Sequence, residues 1–171
     1  KKQSGGVDGT PAAAADGQDR GDSDGGKTPA SSQGTLHLLG LLSDGGVHAV
    51  MDHVWLLLDA AVADGVRRIR VHVLTDGRDT GERDGVGAIA KLEAKLATLR
   101  DEAGVDAAIA SGGGRQAVTM DRYETDWGVV ARGWRAHVLA DTDAVATFPS
   151  ATAAVQAAYD DGATDQYVPA F

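Results

Sequence analysis

"RRIRVHVLTDGRDT" spans residues 67–80 and predicts a buried strand that ends abruptly at a polar turn. Three β-branched side chains, Ile69, Val71 and Val73, stand at every second position, which is the period of a strand. The apolar run stops at Thr75, and charged residues and Gly follow at once. Two other stretches of the chain show the same pattern of an apolar run that ends at a polar or Gly-rich segment. The three stretches together indicate the fold.

Two further apolar runs predict strands: "TLHLLGLL" at 35–42 and "VDAAIASGGG" at 105–114. The segments between the strands, 47–65 and 85–104, carry apolar residues at helical spacing and end at Gly, a common helix C-cap. Strands that alternate with helices form parallel sheets. The sequence therefore predicts an α/β fold, a parallel-sheet βαβ domain with helices on both faces.

The rest of the ordered chain continues the pattern. We predict a third helix over 121–140, a fourth over 150–162 with Ser150 as its N-cap, and the start of a last strand at 165–171. The three tryptophans fall inside predicted helices, which favours core positions for them: Trp55, Trp127 and Trp134.

Residues 1–34 contain one Val and no larger aliphatic or aromatic side chain. Such a segment buries too little apolar surface to offset its chain entropy, so we predict a disordered low-complexity tail. The domain then covers 35–171. Because its last predicted strand is cut off at Phe171, we expect it to be incomplete at its C-terminus.

Composition excludes several classes of protein. The 171 residues carry a formal net charge of −9 and no Cys. A nucleic-acid binder would show a basic patch, and no apolar run reaches the roughly 20 residues of a membrane span. The absence of Cys excludes disulfides, thiol nucleophiles and Cys-based zinc sites.

The N-terminal stretch has no apolar segment typical of a secretory signal, and a cytoplasmic location fits. Asp far outnumbers Glu, and Lys is rare. This composition is typical of a protein from a salt-loaded cytoplasm, although a high-GC genome favours the same residues.

The polar loops that follow the three predicted strands contain the candidate functional residues. The carboxyl ends of parallel strands meet at one edge of a sheet, where ligands bind. Arg binds phosphate and carboxylate oxygens bidentately, and Asp79 would hold an arginine or bind a ligand hydroxyl. The other candidates favour a small anion such as a phosphate ester: His48, Arg78, Arg115 and Arg122.

The same motifs also have interpretations that involve no ligand. "DGRD" at 76–79 is, taken alone, more often only a turn, and "GGGR" at 112–115 is more often a flexible loop than a phosphate cradle. His37 and His72, inside predicted strands, are more often packed or surface histidines than catalysts. His48 and His53 lack the spacing of two metal ligands on one helix face.

Four longer stretches favour the functional interpretation. They are "LHLLGLLSDGGVH" (36–48), "VHVLTDGRDT" (71–80), "GGRQAVTMDRYETDW" (113–127) and "SATAAVQAAYDDGATDQYVPAF" (150–171). Together they resemble the cofactor-independent (2,3-bisphosphoglycerate-independent) phosphoglycerate mutase family, over residues 35–171.

The resemblance implies a function and a division of labour. Family enzymes interconvert 3-phosphoglycerate and 2-phosphoglycerate in glycolysis and gluconeogenesis. An alkaline-phosphatase-like domain holds two manganese ions and a serine that becomes phosphorylated, and an inserted transferase domain grips the glycerate. This chain resembles only the inserted domain. The family's substrate-binding residues correspond to His48, Arg78, Asp79, Arg115 and Arg122, of which His48 and Asp79 are the catalytic candidates.

The chain departs from the family pattern at several points. Ala49 and Val50 replace the usual Ser-His, and Gly81 and Glu82 follow "DGRDT" where prolines are usual. The Arg115–Arg122 spacing is one residue longer. No metal set and no phosphorylatable serine are recognisable. We therefore expect this chain alone to be inactive and to need the missing domain in cis or in trans. The alternatives are a non-catalytic module that binds small phosphorylated acids, or an inactive remnant.

Overall fold

The structure, a computed structural model, describes residues 34–121 and 123–171. Apart from Gly34, the predicted tail lies outside the described residues, and so does Arg122. The strands are β1 (Leu36–Leu42), β2 (Arg68–Thr75) and β3 (Asp106–Gly114). The helices are α1 (Met51–Ala63), α2 (Gly85–Ala103), α3 (Trp127–Trp134) and α4 (Ala151–Asp160), with a π-helical turn at Arg135–Leu139 and a 3₁₀ turn at Asp165–Tyr167.

The three strands form a parallel sheet in the order β1-β2-β3, which confirms the predicted fold class. Their register aligns the last residue of each strand, Leu42, Thr75 and Gly114, in one row. A β-bulge interrupts the β2–β3 pairing between Val71 and His72. Because the strand ends are aligned, the loops that follow them meet at one edge of the sheet.

Helices pack on both faces of the sheet, as predicted, but the second face is covered only in part, since Leu39 of β1 is 52% exposed there. On one face, Ile69 and Val73 of β2 pack in a core with Leu58 of α1, Leu92 of α2 and Val155 of α4. Each of these side chains is almost fully buried, which stabilises the fold by about 1.5–3 kcal/mol per residue. The π-helical turn packs on the opposite face.

A chain of hydrogen bonds, the histidine chain, crosses that opposite face. His37 Nδ1 lies 2.9 Å from His72 Nε2, His72 Nδ1 lies 2.6 Å from Ser111 Oγ, and Ser111 Oγ lies 2.7 Å from His137 Nδ1. Burial lowers the pKa of His72 to about 4, and the neighbouring His137 and His37 add to the effect. His72 is thus a packed histidine, as predicted, and His37 is exposed.

The predicted helix ends and caps agree with the structure. Gly104 follows α2 in the left-handed conformation with φ 63°, and Gly65 lies just beyond α1 with φ 90°. Ser150 Oγ accepts a hydrogen bond from the Ala153 N–H at 3.1 Å, which caps α4. In the described ranges, no helix is long and apolar enough to cross a membrane.

The helix predicted over 121–140 begins later, at Trp127. The Asp121 carboxylate accepts hydrogen bonds from the backbone N–H groups of Thr125 and Asp126, at 2.9 and 3.0 Å, and so competes with helix formation. Tyr123 and Glu124 have φ of 66° and 57°, which a right-handed helix does not allow. Asp126 then caps α3 by accepting from the Gly128 N–H at 2.8 Å.

The prediction that all three tryptophans are core residues was wrong for two of them. Trp127 and Trp134 are 64% and 57% exposed, and only Trp55 packs against the core. The buried side of α3 carries Val129 and Gly133, and a Cβ on Gly133 would collide with Thr119. This contact is too close for large side chains, so the tryptophans lie on the outer side.

The C-terminal segment was predicted as a strand but starts with the 3₁₀ turn. It then runs antiparallel to β3, where the Gly112 and Phe171 backbones exchange two hydrogen bonds of 2.9 and 3.0 Å. Gly114 N–H donates to the Val168 carbonyl at 2.8 Å. The "GGG" stretch is therefore the end of β3, and the flexible-loop interpretation was wrong.

Candidate functional site

Three polar residues follow directly after the aligned ends of the strands. Ser43 comes after β1, Asp76 after β2 and Arg115 after β3, and they are 3%, 2% and 6% exposed. Buried polar groups are costly unless they are hydrogen-bonded, so the contacts among these three residues determine whether the row is stable.

Asp76 lies at the centre of the row. Its Oδ2 accepts a hydrogen bond from Ser43 Oγ at 2.5 Å, and its Oδ1 accepts one from Arg115 Nη1 at 2.5 Å. Oδ1 also accepts from the backbone N–H groups of Arg78 and Asp79, at 3.3 Å each. Burial opposes ionisation, but the bonds from Ser43 and Arg115 outweigh it and lower the pKa of Asp76.

Arg115 joins two carboxylates through a single nitrogen. Nη1 lies 2.5 Å from Asp76 Oδ1 and 3.0 Å from Asp79 Oδ2. Burial works against the charge of Arg115, but the two carboxylates prevail and raise its pKa. The guanidinium is therefore charged and held in place from one side.

The loop after β1 meets the turn after β2. His48 Nδ1 lies 2.6 Å from Asp79 Oδ2, and the half-exposed His48 ring faces solvent. The His48 hydrogen bond, with Arg115 adding to it, lowers the pKa of Asp79 against the effect of burial. Gly45 touches Asp79 so closely that a Cβ would lie 2.5 Å from the Asp79 carbonyl oxygen. The structure thus brings three predicted site residues together: His48, Asp79 and Arg115.

Arg78 has a different environment. Its side chain is exposed and has no hydrogen bond or ion pair to any residue that the structure describes, although its backbone N–H is fixed by Asp76. A cation beside two paired carboxylates, with its guanidinium free of described partners, is suited to bind an anionic ligand. Arg122 was predicted to join the site but lies outside the described residues.

The "DGRD" segment is a turn, as the interpretation that involves no ligand predicts, and its role in binding stays a prediction. Gly77 has φ 63°, and a Cβ there would lie 2.7 Å from Asp165 Cβ, so only Gly fits. The turn brings Asp79 against the loop after β1.

The buried carboxylate residue Asp165 packs against this turn. Asp165 Oδ2 accepts from the Gly85 N–H at 2.9 Å, and Oδ1 accepts from the Tyr159 hydroxyl. The Asp165 carbonyl accepts from Thr75 Oγ1 at 2.6 Å. Burial raises the pKa of Asp165 and is also the main cause of the raised pKa of Tyr159.

The candidate set from the sequence omitted Ser43, Asp76 and Asp165. Ser43 and Asp76 could have been found, because each directly follows the last residue of a strand, as Arg115 does. A cavity of about 270 Å³ lies beside them, between the ends of β1 and β2 and the start of α2, and Lys91 also lines it. Three more carboxylates line it, from Asp44, Asp84 and Asp165, so the cavity does not suit an anion. None of His48, Arg78, Asp79 and Arg115 lines it.

Within 34–121 and 123–171, no group of three or more His, Asp or Glu side chains is arranged to hold a metal ion. The site offers fixed charges and hydrogen-bond donors. This chemistry can bind and orient an anion and move a proton through the His48–Asp79 pair.

Residues 26–171 match the family model described as the BPG-independent PGAM N-terminus (iPGM_N). The chain belongs to the BPG-independent phosphoglycerate mutase family. The resemblance seen in the sequence motifs is thereby confirmed at the level of the family.

Individual relatives agree with the family model. The chain is 56% identical over 140 residues to a probable 2,3-bisphosphoglycerate-independent phosphoglycerate mutase 2 of Arabidopsis thaliana, covering 81% of this chain and 24% of the relative. It is 52% identical over 139 residues to the corresponding mutase of Trypanosoma brucei brucei, covering 80% and 24%. A solved phosphoglycerate mutase of Leishmania mexicana, studied at low cobalt concentration, matches with a TM-score of 0.77 and 50% identity, over 82% of this chain and 25% of that one.

This member of the phosphoglycerate mutase family spans about a quarter of the length of these relatives. The relatives come from a plant and from trypanosomatids, and they give no support to the salt-adapted source inferred from composition.

Proposed function

We propose that this chain is the substrate-binding part of a 2,3-bisphosphoglycerate-independent phosphoglycerate mutase, and that the complete protein interconverts 3-phosphoglycerate and 2-phosphoglycerate. The observation that carries the proposal is the cluster at the carboxyl edge of the sheet. There Arg115 bridges Asp76 and Asp79, and Asp79 in turn bonds His48.

Each group has a role in binding a phosphorylated hydroxy acid. Arg78 and Arg115, with Arg122, bind the carboxylate and phosphate of the glycerate. His48 and Asp79 contact its hydroxyl or the moving phosphoryl group, and their 2.6 Å hydrogen bond provides a path for a proton. Positioning and charge neutralisation are the main contributions of protein groups to phosphoryl transfer.

The rest of the reaction belongs to a domain that this chain does not resemble. By family resemblance, an alkaline-phosphatase-like domain supplies the phosphorylated serine and two manganese ions, which would neutralise charge on the phosphoryl group. The described residues of this chain do not fit a metal site. The contribution of this chain is to hold the glycerate and to present it again to the phosphorylated serine. Alone, the chain is inactive. A role in glycolysis, a cytoplasmic location and a salt-adapted source belong to the same proposal.

A calorimetric titration with 3-phosphoglycerate tests the binding role. We expect saturable binding that Arg78→Ala weakens at least about tenfold, because a charged hydrogen bond contributes about 1.5–3 kcal/mol. Arg67→Ala is the matched control, since Arg67 is exposed just before the start of β2, at the opposite end of the strand from the site. Equal losses in the two variants, or no binding by the folded chain, would contradict the proposal.

A second candidate function is a non-catalytic binding module for small phosphorylated acids. The cluster of Asp76, Asp79 and Arg115 supports it, because fixed charges can hold an anion without a second domain. Mixing the chain with a separately produced metal domain separates the candidates. Restored mutase activity supports the mutase, and binding without any restored activity supports the module.

A further inference from the structure

We propose that Asp76 is a positioning residue, which fixes the arginines of the site without touching the ligand. This inference rests on the proposed function. Asp76 was absent from the residues that the family motifs suggested as ligand contacts, yet among the described residues it has more hydrogen bonds to the site than any of them.

The hydrogen bonds and the burial of Asp76 favour contacts with protein groups over contact with a ligand. Each oxygen of an ionised carboxylate offers about two lone-pair positions. Oδ1 of Asp76 accepts from Arg115 Nη1 and from the N–H groups of Arg78 and Asp79, and Oδ2 accepts from Ser43 Oγ. The side chain is 2% exposed. Asp76 therefore acts on a ligand only through the groups it holds.

Those groups are the two arginines. Asp76 and Asp79 both bind Nη1 of Arg115, and among the described residues no hydrogen bond is found to its Nε or Nη2. That edge of the fork stays free for a bidentate contact with an oxyanion. The bond to the Arg78 N–H fixes the turn that carries Arg78. One buried carboxylate thus sets the orientation of Arg115 and the position of the Arg78 backbone.

A positioning role and simple electrostatics predict opposite changes in ligand affinity for the same substitution. Asp76→Asn removes a negative charge next to an anion site, so Coulomb attraction alone would tighten binding of 3-phosphoglycerate. The Asn amide cannot accept all four hydrogen bonds, so Arg115 loses its orientation and binding weakens. The direction of the change therefore identifies the role.

The test is calorimetric titration of the full chain with 3-phosphoglycerate at constant salt. We expect Asp76→Asn to bind about 10- to 100-fold more weakly, the range for lost hydrogen bonds to charged groups. Asp52→Asn is the charge control, because Asp52 is exposed in α1 and has no hydrogen bond or ion pair to any described residue. Unchanged or tighter binding by Asp76→Asn would overturn the proposal.

A measurement without ligand separates this proposal from the proposed function. In NMR spectra of the wild-type chain, the held guanidinium of Arg115 should rotate slowly and give distinct Nη signals. These signals should merge in Asp76→Asn and persist in Asp52→Asn. If the wild type does not bind 3-phosphoglycerate, the proposed function fails, and these spectra alone decide the role of Asp76.

A third variant covers the case in which Asp76→Asn does not fold. Ser43→Ala keeps the charge of Asp76 and removes one of its four hydrogen bonds. We expect faster rotation of the Arg115 guanidinium and weaker binding, by a factor of about three to ten. Wild-type rotation and affinity in Ser43→Ala would overturn the proposal.

Discussion

At the scale of single residues, the buried carboxylates of this domain have opposite environments. Against the effect of burial, the hydrogen bonds from Ser43 and Arg115 lower the pKa of Asp76. Asp165 faces a hydroxyl and a backbone N–H, and burial raises its pKa. Asp165 is therefore a hydrogen-bond acceptor that does not need its charge. Its role is to connect the C-terminal segment, α4 and the start of α2.

This difference predicts the effect of two substitutions. Asp165→Ala leaves the Gly85 N–H and the Tyr159 hydroxyl buried and unpaired, and we expect a loss of about 3 kcal/mol in the free energy of unfolding. Asp165→Asn keeps an acceptor for Gly85 and offers Tyr159 a donor, so we expect a loss below about 1 kcal/mol. Urea unfolding measures both, and equal losses would contradict this role.

Prediction from sequence succeeded for residues that directly follow a strand, because the sheet topology alone fixes where they lie. Arg115 and Asp79 lie together because parallel strands end at one edge, a rule that needs no contact information. Asp165 could not be found in this way. Its partner Gly85 is 80 residues distant, and "DDGATDQY" contains no pattern that distinguishes a buried carboxylate from a solvated one.

At the scale of elements, β1, β2, α2 and α4 follow their local patterns, while α3 and the C-terminal segment do not. The late start of α3 depends on the Asp121 carboxylate, whose hydrogen bonds to backbone N–H groups compete with the helix. The path of the C-terminal segment depends on the glycines of β3, because its backbone lies so close to β3 that a side chain there would collide with it. Both features depend on side-chain size and hydrogen bonding, to which hydrophobic periodicity is insensitive.

Two glycine substitutions test the packing of these elements. A Cβ at Gly114 would collide with the Gln166 backbone, so we expect Gly114→Ala to destabilise the chain by at least about 2 kcal/mol. Gly87 in α2 has open space around it, and Gly87→Ala should stabilise by about 0.5–1 kcal/mol through helix propensity. Thermal unfolding of the two variants should shift in opposite directions, and a shift in the same direction would refute this account of the packing.

At the scale of the whole molecule, the histidine chain makes folding sensitive to mild acid. The pKa of His72 is about 4 in the folded chain and near 6.5 in a solvated one. Between these pH values His72 is protonated in the unfolded chain but stays neutral in the folded chain. The free energy of unfolding therefore falls as the pH falls from about 6.5 to about 4. The lowered pKa values of Asp76 and Asp79 affect stability only below this window.

We expect the free energy of unfolding to fall by about 2 kcal/mol between pH 7.5 and pH 5.0 because of His72. His72→Asn should remove this loss and leave the part due to His137, whose pKa burial also lowers. Urea titrations of both proteins at the two pH values provide the measurement. A pH dependence that is the same in the variant would assign the loss to other groups.

The histidine chain also has a direction. His137 Nε2 is buried and has no hydrogen-bond partner among the described residues. If every donor in the chain points away from His137, that nitrogen is left as a bare lone pair, which costs less than an unpaired N–H. In that direction the His137 Nδ1–H donates to Ser111 Oγ, the Ser111 hydroxyl donates to His72 Nδ1, and the His72 Nε2–H donates to His37 Nδ1. One buried nitrogen without a described partner thus sets the tautomers of three rings across the width of the sheet.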